Sequence, residues 1–321
     1  MSQQTVLYDI PGPRQRRITL ISSLVAAVVL LVGAYFLIYR PLADKGQFSM
    51  ELWGSLIDPA NENFSLVWHR IGIGLKNTLI AAALAILSSL VVGTLLAVLR
   101  IQLKSLLRRR FTGLAAPVAY LLRGLSLLLS AVTRVSVEVF RGLPVVITIF
   151  FVARGFPAFG VMFDNLWYLV IGLTIYNGVV IAEILRSGME GLPGGQAEAA
   201  AAIGLSPLQV TRMILLPQAF RIMLPALISQ LVVVLKDTSL GFIISYEETL
   251  NIGKQIIGVL GNPIQVYVVI AVLFIAVNYS LSKLAQYVQH RLSRGRKTAG
   301  TPAQNLPPAA IMSQAEGTGG I

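Results

Sequence analysis

Glu183, Lys236 and Asp237 lie in stretches that are otherwise apolar, with Asn177, Gln230, Thr238 and Ser239 nearby. Polar and ionised groups in hydrocarbon are expensive, and they face a cavity or each other. Two chemistries follow: a polar path for a solute, or a buried ion pair such as Glu183–Lys236 that fixes helix packing. Lys236 and Asp237 are adjacent, so on a helix they point about 100° apart and pair poorly with each other. Each is expected to find its partner on another helix or another subunit. Asn177 precedes Glu183 by about a turn and a half and sits nearer mid-membrane, which makes it the preferred solute contact. Arg141 reads as an interface anchor rather than a ligand.

Other chemistries lack their residues. Cysteine is absent, which excludes disulfides, thiolate metal sites, haem attachment and thiol catalysis. His69 and His290 are far apart, so no histidine cluster is expected, and no nucleophile–base constellation is evident. No Gly-x4-Gly-Lys-Ser/Thr phosphate loop occurs, so the chain is not expected to bind ATP itself. The expectation is a chain that is no enzyme and carries no metal or cofactor.

The elements that hold these residues are membrane helices. Of 321 residues, 55% are apolar and 12% charged, about half the charged share of a soluble domain; the mean hydropathy is +0.74. The net charge of +12 sits in short clusters between apolar runs, as in the cytoplasmic loops of a bilayer protein. No basic face interleaved with aromatics suggests nucleic acid. Runs long enough to cross a bilayer are 18–38, 77–99, 165–182 and 264–282. Two less regular candidates are 135–159 and 222–246, giving an all-α polytopic protein of six spans. The run at 18–38 is too long for a signal-peptide core, and no small-residue cleavage site follows it. With the N-terminus inside, nineteen basic residues fall in cytoplasmic stretches and six outside. Both termini are then cytoplasmic in the cell membrane, with 1–17 inside and 39–71 an extracellular loop.

Two segments depart from a plain bundle. Residues 111–133 are divided by Pro117 and Arg123 into runs too short to cross, which reads as a cytoplasmic interfacial insertion. The loop 187–221 is long for a helix connection yet reads as ordered. Gln196–Ile203 is a strong helix former, Gly204 stops it, and Ser206–Pro207 caps and starts a second short helix. The tail 298–321, rich in Pro, Gly and Ala, is expected to be disordered.

Glu198-Ala199-Ala200, then Gly204, then Ile214-Leu215-Leu216-Pro217 resembles the EAA loop of ABC-importer membrane subunits at every fixed position. Phe140-Arg141-Gly142-Leu143-Pro144, Ala182-Glu183-Ile184-Leu185-Arg186, Leu216-Pro217-Gln218-Ala219 and Lys236-Asp237-Thr238-Ser239-Leu240 resemble the polar amino-acid permease branch. The likeness covers about 75–284, two-thirds of the chain. The extra first span and Val6–Arg17 look most like the longer permease of actinobacterial glutamate-uptake systems.

The resemblance implies a type I importer core of five helices plus one at the N-terminus. It implies that the helix opening with Glu198, Ala199 and Ala200 and ending at Gly204 is the coupling helix, docking in a groove of an ATP-binding subunit. Ile214, Leu216 and Pro217 complete that motif. It implies a dimer of ATP-binding subunits carrying ATP and Mg, a second and shorter permease, and an extracellular substrate-binding protein. It implies transport by alternating access within membrane lipid. Asn177, Glu183, Lys236, Asp237, Thr238 and Ser239 are the expected substrate path. Glutamate is the substrate the resemblance favours; glutamine, aspartate or a basic amino acid fits the same residues. An ion-coupled secondary transporter would leave the ordered loop unexplained and shows no internal repeat here. A channel would show rings of like charge, which are not evident.

Overall fold

In hydrocarbon every backbone polar group must find its partner within its own segment, so long apolar stretches become helices. The computed structural model describes residues 12–108 and 115–294, and all regular structure among them is helical. The expected tail 298–321, most of the segment 1–17 and the start of 111–133 lie outside the described residues. The α-helices are α1 (Pro13–Ala34), α2 (Arg40–Asp44), α3 (Met50–Ile57), α4 (Phe64–Arg108), α5 (Ala116–Gly142) and α6 (Val145–Ala158). They continue with α7 (Asn165–Glu190), α8 (Gly194–Ala202), α9 (Pro207–Gln209), α10 (Leu216–Asp237), α11 (Thr249–Leu260) and α12 (Pro263–Arg294).

Six helical stretches among the described residues are long and apolar enough to cross a membrane: Pro13–Asp44, Phe64–Leu107, Pro117–Gly142, Asn165–Glu190, Pro207–Ile244 and Pro263–Gln289. The third differs from the stretch expected at 135–159. There, α5 ends at Gly142, Leu143 is extended (φ −83°, ψ 139°), and α6 has only 14 residues. Pro144 is the cause, since the residue before a proline is pushed out of the helical region. Pro117 has the opposite effect. It occupies the first turn of α5, where its missing N–H removes no bond. From Ala116, most of 111–133 is therefore one unbroken helix with 134–142, and Arg123 does not interrupt it.

The second helix of the long loop also differs from expectation. Ser206 caps α9 in a capping box with Gln209, but the chain does not turn again before Pro217. It passes through a π-helical segment, Val210–Leu215, directly into α10, with the Leu216 N–H bonding to the Thr211 carbonyl. Pro217 has no N–H to give Met213, and a wider turn just before it accommodates the lost bond. At its far end α10 gives way to a 3₁₀ turn, Thr238–Ile244, closed by Ser245 in the left-handed region. Thr238 and Ser239 thus sit on a 3₁₀ turn rather than an α-helix.

The chain divides into two units. One comprises Met1–Leu84, Ile149–Gly172 and Asp237–Ile275, and its core is Leu56, Val67, Ile71, Ile252, Ile256, Val266 and Ile270. Gly74 lets α4 pass close to α11, because a Cβ there would lie 2.9 Å from the Thr249 Cα. The hydroxyls of Thr78 and Thr249 share a 2.8 Å hydrogen bond at this crossing. Glu248 caps α11 by accepting the N–H groups of Leu250 and Asn251, each at 2.7 Å. Its burial pushes the carboxyl up to about 7, against the opposing pull of those two N–H donors.

The other unit comprises Ala85–Thr148, Leu173–Lys236 and Ala276–Ile321. It packs Ala97, Ile181, Ala182, Leu185, Met189, Ala219 and Leu227. Here α4 meets α7 at Gly93 and Gly178. A Cβ on Gly93 would stand 2.7 Å from Ile181 Cγ2 and 2.8 Å from the Gly178 carbonyl oxygen. Small residues bring membrane helices into backbone contact in this way.

Two outcomes follow. Gly93→Ala should destabilise the detergent-solubilised protein by about 1–3 kcal/mol, read as a lower melting temperature. Gly33→Ala, with nothing within 4 Å, should not. Because the folded-state carboxyl of Glu248 titrates above its unfolded value, its stabilising contribution is complete below about pH 4.5 and is lost as pH rises through about 7. Melting temperature against pH should therefore fall across that window for the wild type and stay flatter for Glu248→Gln.

Candidate functional site

Glu183 lies on α7, and its side chain is 23% exposed. Its Oε2 accepts from Arg100 Nη1 at 2.6 Å and from Arg186 Nε at 3.0 Å. Its Oε1 accepts from Arg186 Nη2, and Arg141 Nη1 stands 4.0 Å away. Glu190, one turn beyond Arg186, accepts from Arg186 Nη1 and from Lys104 Nζ, the latter at 2.7 Å. Helix spacing makes this possible. Residues 183, 186 and 190 fall on one stripe of α7, and 100 and 104 on one stripe of α4. The Glu183 carboxylate is thus held by Arg100 and Arg186.

Around this network lies a cavity of about 440 Å³, whose wall includes Ser130, Thr133, Arg134 and Glu138 of α5 as well as the ion pairs. Ser126 and Val137 of α5 are buried on the same stripe, while most of that helix is exposed. A second groove of about 320 Å³ is lined by Arg141, Val180, Glu183, Ile184, Ser187 and Met223.

Asn177, the preferred solute contact, is fully buried and engaged at both ends. Its Nδ2 donates to the Leu173 carbonyl at 3.0 Å, and its Oδ1 accepts from Gln230 Nε2 at 2.7 Å. It ties α7 to α10. Thr238 is buried as well, Asp237 and Ser239 are half-buried, and Lys236 is exposed at the end of α10. Glu183 belongs to the arginine network, and Lys236, Asp237, Thr238 and Ser239 mark the junction of α10 with the 3₁₀ turn.

The loop motif is built as a seat and a projecting helix. Helix α8 ends at Ala202 with Ile203 as its C-cap, and Gly204 takes φ +86°, which a glycine adopts freely. Glu198 and Ala199 are exposed, and Ile203 is 78% exposed. Among the described residues Glu198 makes no ion pair. Ala200, expected with the contact residues, is only 3% exposed. It faces its own chain, because it lies on the side of α8 that rests on the loop. Gln218 Nε2 donates to Gln196 Oε1 at 2.7 Å and to the Ile214 carbonyl at 2.9 Å. Gln102 Nε2 of α4 donates to Thr211 Oγ1 at 2.8 Å. Ile214 and Leu216 are half-buried and Pro217 is exposed; Leu216 packs on the core, so these residues position the loop.

Sequence reasoning missed Arg100, Lys104, Arg186, Glu190, Gln102 and Gln218. The signal for the first four was present in the opposite charges at i, i+3 and i+7 from Glu183 and in the basic pair at 100 and 104. Glu183→Gln should cost on the order of 3 kcal/mol, because it leaves clustered guanidinium groups without their anion. Glu138→Gln breaks only an exposed pair with Arg134 and should cost under about 0.5 kcal/mol. Detergent melting curves for the two variants compare these directly.

Residues 112–294 match the family model described as the binding-protein-dependent transport system inner membrane component. The glutamate transport system permease protein of Corynebacterium glutamicum is 37% identical over 259 residues, covering 79% of this chain and 85% of that protein. A probable glutamine ABC transporter permease of Bacillus subtilis is 36% identical over 51% of this chain and 76% of its own length. The fold is shared with the crystal structure of an amino acid ABC transporter with histidines, at a TM-score of 0.56 and 23% identity, over 72% of this chain and 99% of that one. The chain is thus a multi-pass membrane protein of the binding-protein-dependent transport family, and within it belongs to the amino-acid ABC transporter permeases.

Proposed function

We propose that this chain is the permease subunit of an ATP-driven importer of glutamate, and that α8 is the helix through which ATP binding on a partner subunit drives it. The observation that carries the coupling half is the exposed Glu198–Ala199 face of α8 beside the left-handed Gly204, pinned at its base by Gln196–Gln218. A short helix held rigidly at its root and bare on its outer side is the form that helix-in-groove docking uses. Glu198 supplies an anion for a basic groove residue, Ala199 permits close approach, and Ile203 offers an apolar anchor. Ala200, Gly204, Ile214, Leu216 and Pro217 hold that helix in place. ATP and Mg belong to the partner dimer, a second and shorter permease completes the path, and an extracellular binding protein delivers the substrate.

Glutamate is favoured by the 37% identical relative, whose name states that substrate and of which this chain covers 85%. Glutamine is the second reading, on the 36% identical Bacillus subtilis protein. Both termini are placed in the cytoplasm. The support is the nineteen basic residues in the stretches then cytoplasmic against six outside. The transport domain is taken as 75–284, with 18–38 as the additional N-terminal span and 187–221 as the coupling loop. Glu183, Lys236, Asp237, Thr238 and Ser239 are the proposed path groups, and Asn177 ties α7 to α10.

Ala199→Arg should remove ATP-driven glutamate uptake by at least about tenfold, through a clash on the outer face of α8, with membrane abundance unchanged. The ATP-binding subunit should then no longer co-purify. Unchanged uptake would place the coupling contact elsewhere. Wild-type proteoliposomes that import glutamine but not glutamate would favour the second reading.

A further inference from the structure

We infer that Arg141 is the receptor for the side-chain carboxylate of an acidic amino acid on its way through this subunit, an inference that rests on the importer reading above. The argument begins with charge. Arg100, Lys104, Arg141 and Arg186 surround two carboxylates, Glu183 and Glu190, so the cluster carries two positive charges more than its own anions balance. The oxygens of Glu183 already take three hydrogen bonds from Arg100 and Arg186. Arg186 is itself clamped between Glu183 and Glu190. The guanidinium left over is Arg141, whose ion contact among the described residues is the 4.0 Å approach to Glu183 and whose side chain is 54% exposed.

The place of Arg141 suits a ligand. It ends α5, just before the break that Pro144 imposes, and it opens onto the 320 Å³ groove whose other walls include Val180, Ile184, Met223 and the Ser187 hydroxyl. Small-molecule sites have about that volume, with apolar walls and few polar groups. A guanidinium fork binds a carboxylate with two parallel hydrogen bonds. In a setting of surplus positive charge it favours a substrate with a second carboxylate over a neutral amide or a cation. An interface anchor would instead point away from Glu183 toward the headgroups.

The test uses the whole complex, with its ATP-binding subunits, second permease and binding protein, reconstituted in phosphatidylcholine liposomes. Arg141→Gln should raise the KM for glutamate uptake by roughly tenfold to a hundredfold, the share that one charge-assisted contact supplies. Arg141→Lys should recover part of that loss, and the amount of each variant in the membrane should match the wild type. In parallel, the complex without its binding protein is titrated with L-glutamate and L-glutamine in detergent. Glutamate should raise the wild-type melting temperature more than glutamine does, and Arg141→Gln should abolish that difference, a readout that a merely structural arginine would not move. If the wild type imports glutamate and Arg141→Gln imports it equally well, the inference is overturned and the importer reading stands. Wild-type complex that imports no acidic amino acid overturns both. Stabilisation by phosphatidylglycerol but not by glutamate would assign the arginine to a lipid headgroup and overturn the inference alone.

Discussion

A carboxylate buried between membrane helices must be matched by donors that come from more than one of them. Glu183 meets that demand with Arg100 from α4 and Arg186 from its own helix, while Arg141 from α5 stands nearby. The requirement fixes the register of α4 against α7, because a slip of either helix would strand a charge. The close crossing at Gly93 and Gly178 is what brings the two backbones near enough for the pairs to form. Apolar contacts among Ala97, Ile181, Leu185 and Met189 fill the space between the crossing and the charges. Packing and electrostatics thus specify the same alignment.

The loop that carries α8 depends on that alignment. Gln102, one residue pair below Arg100 on α4, holds the π segment through Thr211. Gln218 then holds α8 from the other side of the same segment. The exposed face of α8 is therefore presented by a chain of named hydrogen bonds that begins at the helix carrying Arg100. Such stiffness matters for any movement imposed on α8, since a loosely attached helix would absorb it before it reached the spans.

Much of this was legible in the residues. Apolar length marked most of the crossing helices, and the spacing of Glu198, Gly204 and Pro217 marked the loop, because both rest on local chain geometry. The division at Pro144 was harder to see, since an uninterrupted apolar run outweighs a single proline on composition alone. Pro117 and Pro144 look alike in sequence and act oppositely, one starting a helix and the other ending it. The inward turn of Ala200 depends on which side of α8 meets the loop, a tertiary fact that a run of alanines does not encode. Asn177 was read as the preferred solute contact; its partner Gln230 lies 53 residues away, and only the packing of α7 on α10 unites them.

The π segment at Val210–Leu215 has a consequence for evolution within the family. A helix that holds one surplus residue in a widened turn can lose it and relax to ordinary α geometry without breaking. Such a deletion would leave α10 continuous but rotate everything before it by about 100° around the helix axis. Ser206, Gly204 and α8 would swing with it, presenting a different face. The bulge therefore acts as a phase setting. Insertions and deletions of a single residue in this short stretch are a route by which related permeases could re-aim the helix that corresponds to α8 while keeping the membrane core unchanged.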